Sequence, residues 1–404
     1  MTMPLAHRAA TPPHIFTLVM ATASSALAMN VFLPSLPAMA RHFDADYSVV
    51  QLAVALYLVA TAVLQLLIGP ASDRFGRRPV LLSCFAVFLF GTLAAVFAPT
   101  IEILLACRIL QAFSAAGMVL SRAIIRDTVG PDQAASKIGY VTMGMTLVPM
   151  IGPIIGGFLD EIYGWQSTFL LTLAFGMAAF AIIWVDLGET NLRPSASLFA
   201  QVRSYPELIK SERFWGYTLT AAFTSGTFFA FLGGGPYVAS EIFGLSPSQY
   251  GFYFGFVSVG YMVGNFLSGR LSSRLGINRM LLTGNIVAAT GMSVPLLLYF
   301  AGYVSPASLF VPVMFVGLGN GMTLPNAMAG IVSVRPHIAG SASGLGGAMQ
   351  IGGGAGLSML AGALLGPETG PAPLLWVMLA SSCLGIVAAL YVLNVAARKG
   401  ELAR

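Results

Sequence analysis

Gly69-Pro-Ala-Ser-Asp-Arg-Phe-Gly-Arg-Arg-Pro-Val-Leu-Leu82 decides the fold, because it returns, altered, at Gly269-Arg-Leu-Ser-Ser-Arg-Leu-Gly-Ile-Asn-Arg-Met-Leu-Leu282. The offset is 200 residues without a gap, and Gly, Ser, Arg, Gly, Leu and Leu coincide. Each copy reads as a short basic loop between two long apolar runs, so each holds the same place in its half of the chain. Two copies of one membrane unit can rock against each other around a shared site.

Composition agrees. Of 404 residues, 57% are hydrophobic and 9% charged, where a soluble domain carries about 25% charged residues. A helix needs about 20 apolar residues to cross a bilayer, and twelve such runs can be read. In the first half they are 14–39, 48–69, 79–98, 102–126, 137–159 and 165–187; in the second, 215–239, 249–270, 279–300, 307–330, 341–365 and 372–395. The expected fold is an all-α membrane protein of twelve transmembrane helices in two pseudo-symmetric six-helix bundles, 1–187 and 215–404. Between them, 188–214 is the longest polar stretch, with Arg193, Arg203, Lys210 and Arg213; it reads as a cytoplasmic linker carrying a short surface helix. Cys84, Cys107 and Cys383 all lie inside apolar runs, which suits small packing residues rather than disulfides.

Basic residues favour cytoplasmic loops. With the N-terminus inside, all of the 20 Lys and Arg except Arg41, Arg108 and Arg122 fall on the cytoplasmic side, so both termini are expected there, in the inner membrane of a bacterial cell. Ala26-Leu-Ala28 is like a signal-peptidase site. The apolar stretch continues through Phe32-Leu33, however, and loss of the first span would destroy the two-fold count.

The loop at 69–79 resembles the signature between the second and third spans of the major facilitator superfamily: Gly69, Ser72, Asp73, Arg74, Gly76, Arg77 and Arg78. Gly76 suits a left-handed turn and Gly69 a close helix approach. The resemblance implies that Asp73 faces the positive N-terminus of the eleventh span, near Ser341 and Ser343, where a carboxylate is stabilised. It also implies that Arg77 pairs with Asp127 at the end of the fourth span. These contacts are expected to form only when the cytoplasmic side is closed, as a conformational latch. The second copy has Ser273 in place of Asp73 and should latch more weakly.

The fifth span holds Gly144, Gly152, Pro153, Gly156 and Gly157. Proline kinks a helix and glycine bares backbone for close packing; the pattern resembles the fifth-span motif of exporters in the superfamily. The fourth span has Arg108-Ile-Leu-Gln111, similar to the superfamily's Arg-x-x-Gln motif, and Arg122 lies fourteen residues on, close to the same helix face. Arg122 either stripes a cavity wall with Arg108 or snorkels to the surface. Met29-Asn-Val-Phe-Leu-Pro-Ser-Leu-Pro-Ala38 and Arg122-Ala-Ile-Ile-Arg-Asp127 resemble the bicyclomycin/chloramphenicol-resistance (Bcr/CflA) exporters. Those proteins commonly carry Asp where this chain has Asn30. Asn30 cannot take part in proton exchange, and no Asp, Glu or His lies well inside a span. Coupling to protons then falls to an acid at a span end, Asp127 or Glu102; otherwise the substrate brings the charge or transport is uncoupled.

The substrate-contact candidates are Asn30, Tyr57, Arg108, Gln111, Met145, Thr224, Phe228, Tyr261, Asn320 and Gln350. Aromatic and Met side chains give adaptable apolar contact while amides and hydroxyls orient a ligand. The reading is a monomeric secondary exporter of small amphipathic drug-like molecules, with protons as the coupling ion, the bilayer as its environment, and no cofactor, metal or nucleic-acid partner. A facilitator, importer or exchanger of a small polar or anionic metabolite on the same fold is the alternative. An enzyme would need a polar catalytic cluster within the spans, and the sequence places none there.

Overall fold

The computed structural model describes residues 13–129, 131–191, 205–335, 338–366 and 368–398. Among them are twelve long helices: α1 Ile15–Phe43, α2 Tyr47–Phe75, α3 Arg77–Val96, α4 Ile101–Thr128, α5 Pro131–Tyr163, α6 Gln166–Asp186, α7 Glu212–Tyr237, α8 Pro247–Leu275, α9 Ile277–Phe300, α10 Pro306–Ser333, α11 Ala339–Leu364 and α12 Ala372–Arg398. Each matches an expected span and most run beyond it. The apolar run ends at the lipid boundary, whereas backbone hydrogen bonding continues into polar sequence. About half of the proposed linker, 192–204 with Arg193 and Arg203, lies outside the described residues. Of the rest, Tyr205–Ile209 forms a short helix.

The stretch expected as a loop at 69–79 is not one. Residues through Phe75 belong to α2 and Arg77 already begins α3, so the connection is Gly76 alone, at φ +99°. The equivalent Gly276, between α8 and α9, has φ +80°. Glycine adopts this region without steric cost, which lets one residue reverse the chain.

Both halves use the same packing scheme. α1 packs on α4, α5 and α6 as α7 packs on α10, α11 and α12; α2 meets α4 as α8 meets α10; α3 meets α6 as α9 meets α12. The halves join along α2–α11 and α5–α8. In the hydropathic window of α1, 72% of residues are buried, against 33% for α6, so α1 is central and α6 faces the lipid. Phe90, Phe97, Phe252, Phe266 and Leu297 are exposed on the bundle surface, as a lipid-covered perimeter requires.

Among the described residues, eight helices are long and apolar enough to cross a membrane by those criteria alone. The others are α5, α7, α8 and α11. Three of them form the joins between halves, and α7 is wrapped by its neighbours. On the faces that meet other helices they can carry glycine and hydroxyl residues in place of larger apolar ones, while Phe158, Phe252 and Leu360 keep an apolar side on the bundle surface.

Helix contact is tightest where a glycine removes the side chain. A Cβ on Gly117 of α4 would overlap the Ala21 carbonyl of α1. Gly117→Leu should therefore cost about 1–3 kcal/mol through overpacking, seen as earlier unfolding of the purified protein in a dodecyl sulfate titration. Gly340→Ala, where a Cβ meets nothing within 4 Å, should leave the midpoint no lower.

Candidate functional site

One face of the bundle carries the arginine-rich α2–α3 connection and the described ends of the chain; we call it the basic face. There Arg77, only 7% exposed, binds two carboxylates. It pairs with Asp73, one turn earlier on α2, and its Nε donates to Asp127 of α4 at 2.9 Å. Its Nη1 also donates to Ser72 Oγ at 2.6 Å. One guanidinium thus fastens the ends of α2, α3 and α4, and charge-assisted bonds of this kind are about twice as strong as neutral ones. Arg78 donates to the Trp184 carbonyl of α6 at 2.9 Å, Arg74 lies over the Phe75 ring, and the Gly69 carbonyl accepts from Ser72.

Two residues missed in the sequence complete this cluster. Glu189 accepts from the backbone N–H of Arg77 at 2.9 Å and of Arg78 at 3.3 Å, which caps the start of α3. Its carboxylate fills the space a side chain on Gly76 would need. Asn191 donates to the Asp73 carbonyl at 2.8 Å, satisfying the end of α2. The chain after α6 therefore holds both sides of the Gly76 hinge.

Deeper in the first half, Tyr57, Arg108 and Gln111 come together. Arg108 is 1% exposed. It donates to the Ala53 carbonyl (2.9 Å), the Ala28 carbonyl (3.0 Å) and Gln111 Oε1 (2.6 Å). Its guanidinium carbon lies 4.0 Å from the Phe32 ring centroid and 4.5 Å from that of Tyr57. Gln111 passes the chain on to Thr92 of α3, and the Tyr57 hydroxyl bonds Ser25 and Ser114. The charge is met by dipoles and ring faces, with no carboxylate, and the second terminal nitrogen of Arg108 has no partner among the described residues.

The remaining candidates are dispersed. Asn30 is fully buried against Gly152, donating to the Ala26 carbonyl at 2.7 Å while its Oδ1 has no partner among the described residues. Thr224 donates to Asn285 of α9 at 3.0 Å, an internal tie of the second half. Gln350 donates to Ser225 of α7 at 2.8 Å, and Phe228 packs on Phe229 and Phe254. Tyr261 lies where α8 and α10 approach through Gly317 and Gly321, and the buried Asn320 Oδ1 has no partner among the described residues. The Met145 side chain and the Gly144 position lie outside the described side-chain environments. Beside Gln350 runs an apolar crevice of about 540 Å³ between α7 and α11, lined by Leu219, Ala222, Phe223, Met349, Gly353 and Leu357. The glycines of α11 make part of this room, since a Cβ on Gly356 would touch nothing within 4 Å.

On the face opposite the basic one, the halves are closed against each other. Arg41 pairs with Glu241 at 3.3 Å, Tyr47 donates to the Gly233 carbonyl at 2.8 Å, and Gln51 donates to Ser358 at 2.8 Å. In α5, Gly156 abuts the Val31 carbonyl of α1 and Gly157 the Pro247 carbonyl of α8, while Gly251 of α8 abuts Pro153. The Arg77 pairs are thus present while the opposite face is shut. They join helices of one half, so a motion between halves does not break them.

Residues 18–355, and in a second overlapping match 230–403, fit the Major Facilitator Superfamily. The chain belongs to that superfamily of membrane transporters. Among its relatives, an uncharacterised MFS-type transporter of Bacillus subtilis, YdgK, is 32% identical over 92% of this chain and 93% of its own length. The bicyclomycin resistance protein homologue of Haemophilus influenzae is 29% identical, covering 80% and 82%. The chloramphenicol resistance protein of Pseudomonas aeruginosa is also 29% identical, covering 78% and 76%. A crystallised D-xylose-proton symporter shares the fold at a TM-score of 0.73, with 15% identity over 94% of this chain and 96% of that one. The chain is therefore a multi-pass membrane transporter, and the resemblance to drug-resistance proteins holds over most of its length.

Within this transporter the two coupling candidates differ. Glu102 is exposed in the first turn of α4, on the opposite face, whereas Asp127 is engaged by Arg77. Glu189 offers the sharper test of the basic-face cluster. Glu189→Ala removes a charged cap and leaves two backbone donors without their carboxylate, a loss of about 1–2 kcal/mol. An earlier midpoint in the same dodecyl sulfate titration would show it, with Glu189→Gln falling between.

Proposed function

We propose that this transporter exports small amphipathic drug-like compounds across a bacterial inner membrane by alternating access, with its basic face and both termini in the cytoplasm. The observation that carries the reading is the α5 seam. Pro153, Gly156 and Gly157, the residues resembling the exporter motif, lie where α5 meets α1 and, across the join, α8. A seam of bare backbone can part and re-form without repacking large side chains. The apolar crevice beside the polar Gln350–Ser225 pair suits a ligand with one greasy and one polar part, and its volume falls within the usual range for small-molecule sites, about 300–1,000 Å³. The drug-resistance names of two relatives point the same way.

In this scheme the closed opposite face corresponds to a cytoplasm-facing state. Parting of the α5–α8 seam and of the Arg41–Glu241 and Gln51–Ser358 contacts opens the periplasmic side. Asp73 then latches the closed cytoplasmic side against the start of α11, with Arg74, Arg77 and Arg78 holding its hairpin. Protons are the counter-ion, and Asp127 is our assigned coupling acid: its protonation would weaken its hold on Arg77 and so loosen the latch.

Expression in an efflux-deficient bacterial host, scored against a panel of antibiotics, tests the reading. The transporter should raise the tolerated concentration of at least one amphipathic drug severalfold. Asp73→Asn should abolish that protection while membrane insertion stays normal. No protection against any compound would favour import or exchange, and full protection by Asp73→Asn would refute the latch. In proteoliposomes, drug addition should release protons, and Asp127→Asn should remove that signal.

A further inference from the structure

The exporter reading leaves the charge of the ligand open, and the inference drawn here rests on that reading. Fourteen of the 15 Asp and Glu residues, all but Glu401, are among the described residues, and each lies within about one turn of a helix end or in a connection. Among the described residues the interior therefore has no carboxylate at depth. It does have two guanidinium groups, both on α4. Arg108 is buried, and its charge is opposed only by carbonyls, an amide and two ring faces. Arg77 differs, since Asp73 and Asp127 neutralise it. A guanidinium stays protonated, so Arg108 holds an unneutralised positive charge in a low-dielectric bundle.

Arg122 lies on the same side of α4. Eleven α-helical steps of about 100° and three 3₁₀ steps of about 120° through Ala112–Ser114 bring it to within about 20° of Arg108. It is six residues, about 9 Å, from the basic-face end of the helix. Unlike Arg108 it is exposed, and it has no acidic partner among the described residues. A side chain that merely held topology would sit at the helix end, as Arg126 does. Arg122 instead presents an open planar fork below the buried charge, the geometry that takes a carboxylate through two parallel hydrogen bonds.

We propose that this transporter selects anionic and neutral amphipaths over cationic ones, with Arg122 binding the ligand's anionic group and Arg108 setting the positive potential behind it. A lipophilic cation would enter a like-signed field with no carboxylate to receive it. A neutral compound is indifferent to the field. An anionic compound gains from it twice, at the open fork and again nearer the buried charge.

Three probes of one shape and different charge test this: 2-naphthoate, 2-naphthamide and 2-naphthylmethylammonium. Binding to the full-length protein in lipid nanodiscs would be followed by thermophoresis. The carboxylate should bind at least tenfold more tightly than the ammonium, with the amide between. Arg122→Gln should bring carboxylate and ammonium within about twofold while the thermal midpoint and helical content stay unchanged. Equal or tighter binding of the ammonium overturns the proposal, as does an unchanged ratio in Arg122→Gln, or no binding of any probe. The exporter reading is judged apart from this, by drug protection in cells. A chain that protects cells yet prefers cations sinks only the charge selectivity; one that prefers anions yet protects against nothing sinks only export.

Discussion

Close approach of helix backbones is the constraint on which this architecture depends. In a bilayer, helices gain nothing by hiding apolar surface from one another, because lipid is equally apolar. What remains is dense contact, and the densest is backbone on backbone. Gly117 against Ala21, Gly156 against Val31, Gly157 against Pro247 and Gly317 against Val257 are all places where a Cβ would overlap a carbonyl group. Three of these bind helices within one half; Gly157 against Pro247 lies along the join between halves. The same device therefore serves rigidity inside each bundle and a smooth surface between them.

The halves are alike in backbone and unlike in charge. Gly76 and Gly276 reverse the chain at equivalent points, and the six helices around each pack in the same order. Around Gly76, however, Asp73, Arg77, Asp127, Glu189 and Asn191 form one connected polar cluster. At the other hinge Ser273, Ile277 and Asn278 stand where the first copy has Asp73, Arg77 and Arg78, and Arg274 alone keeps the charge of Arg74. The Tyr217 hydroxyl donates to Asn278 at 2.8 Å, a single neutral bond. Repetition specifies a shape, and the shape tolerates loss of the charges in one copy because Gly276 alone makes the turn.

What could be read from the chain follows from which interactions leave a mark in sequence. Twelve spans were legible because lipid demands long apolar runs, and the Arg77–Asp127 pair only through the resemblance of the 69–79 segment to the superfamily's signature. The helical character of 69–75 was hidden: a helix that leaves the lipid stops being apolar without ceasing to be a helix. Glu189 and Asn191 were hidden for a different reason. Their partners are backbone groups more than 100 positions earlier, and a backbone N–H has no signature in sequence. Arg108 shows both sides. Its presence called for compensation, but nothing announced that Ala28, Ala53 and two rings would supply it. The ten proposed contact residues were chosen for depth along their helices. Depth does not give direction, and Thr224 turns to Asn285 inside its own half.

The energetics of the closed face suit a molecule that must visit two states. Conformers that exchange in function lie within a few kcal/mol of each other, so the contacts that distinguish them have to be individually weak. The Arg41–Glu241 pair is solvent-exposed on both partners, and such pairs contribute about 0–1 kcal/mol. The bonds of Tyr47 and Gln51 are neutral, each with a net contribution of about 0.5–1.5 kcal/mol. The glycine seams add dispersion that either state can regain against a new neighbour. The strong interactions, Arg77 with two carboxylates and Arg108 with its carbonyls and rings, all lie within the first half. Strength is placed where the bundle moves as a unit, and weakness where one bundle must leave the other.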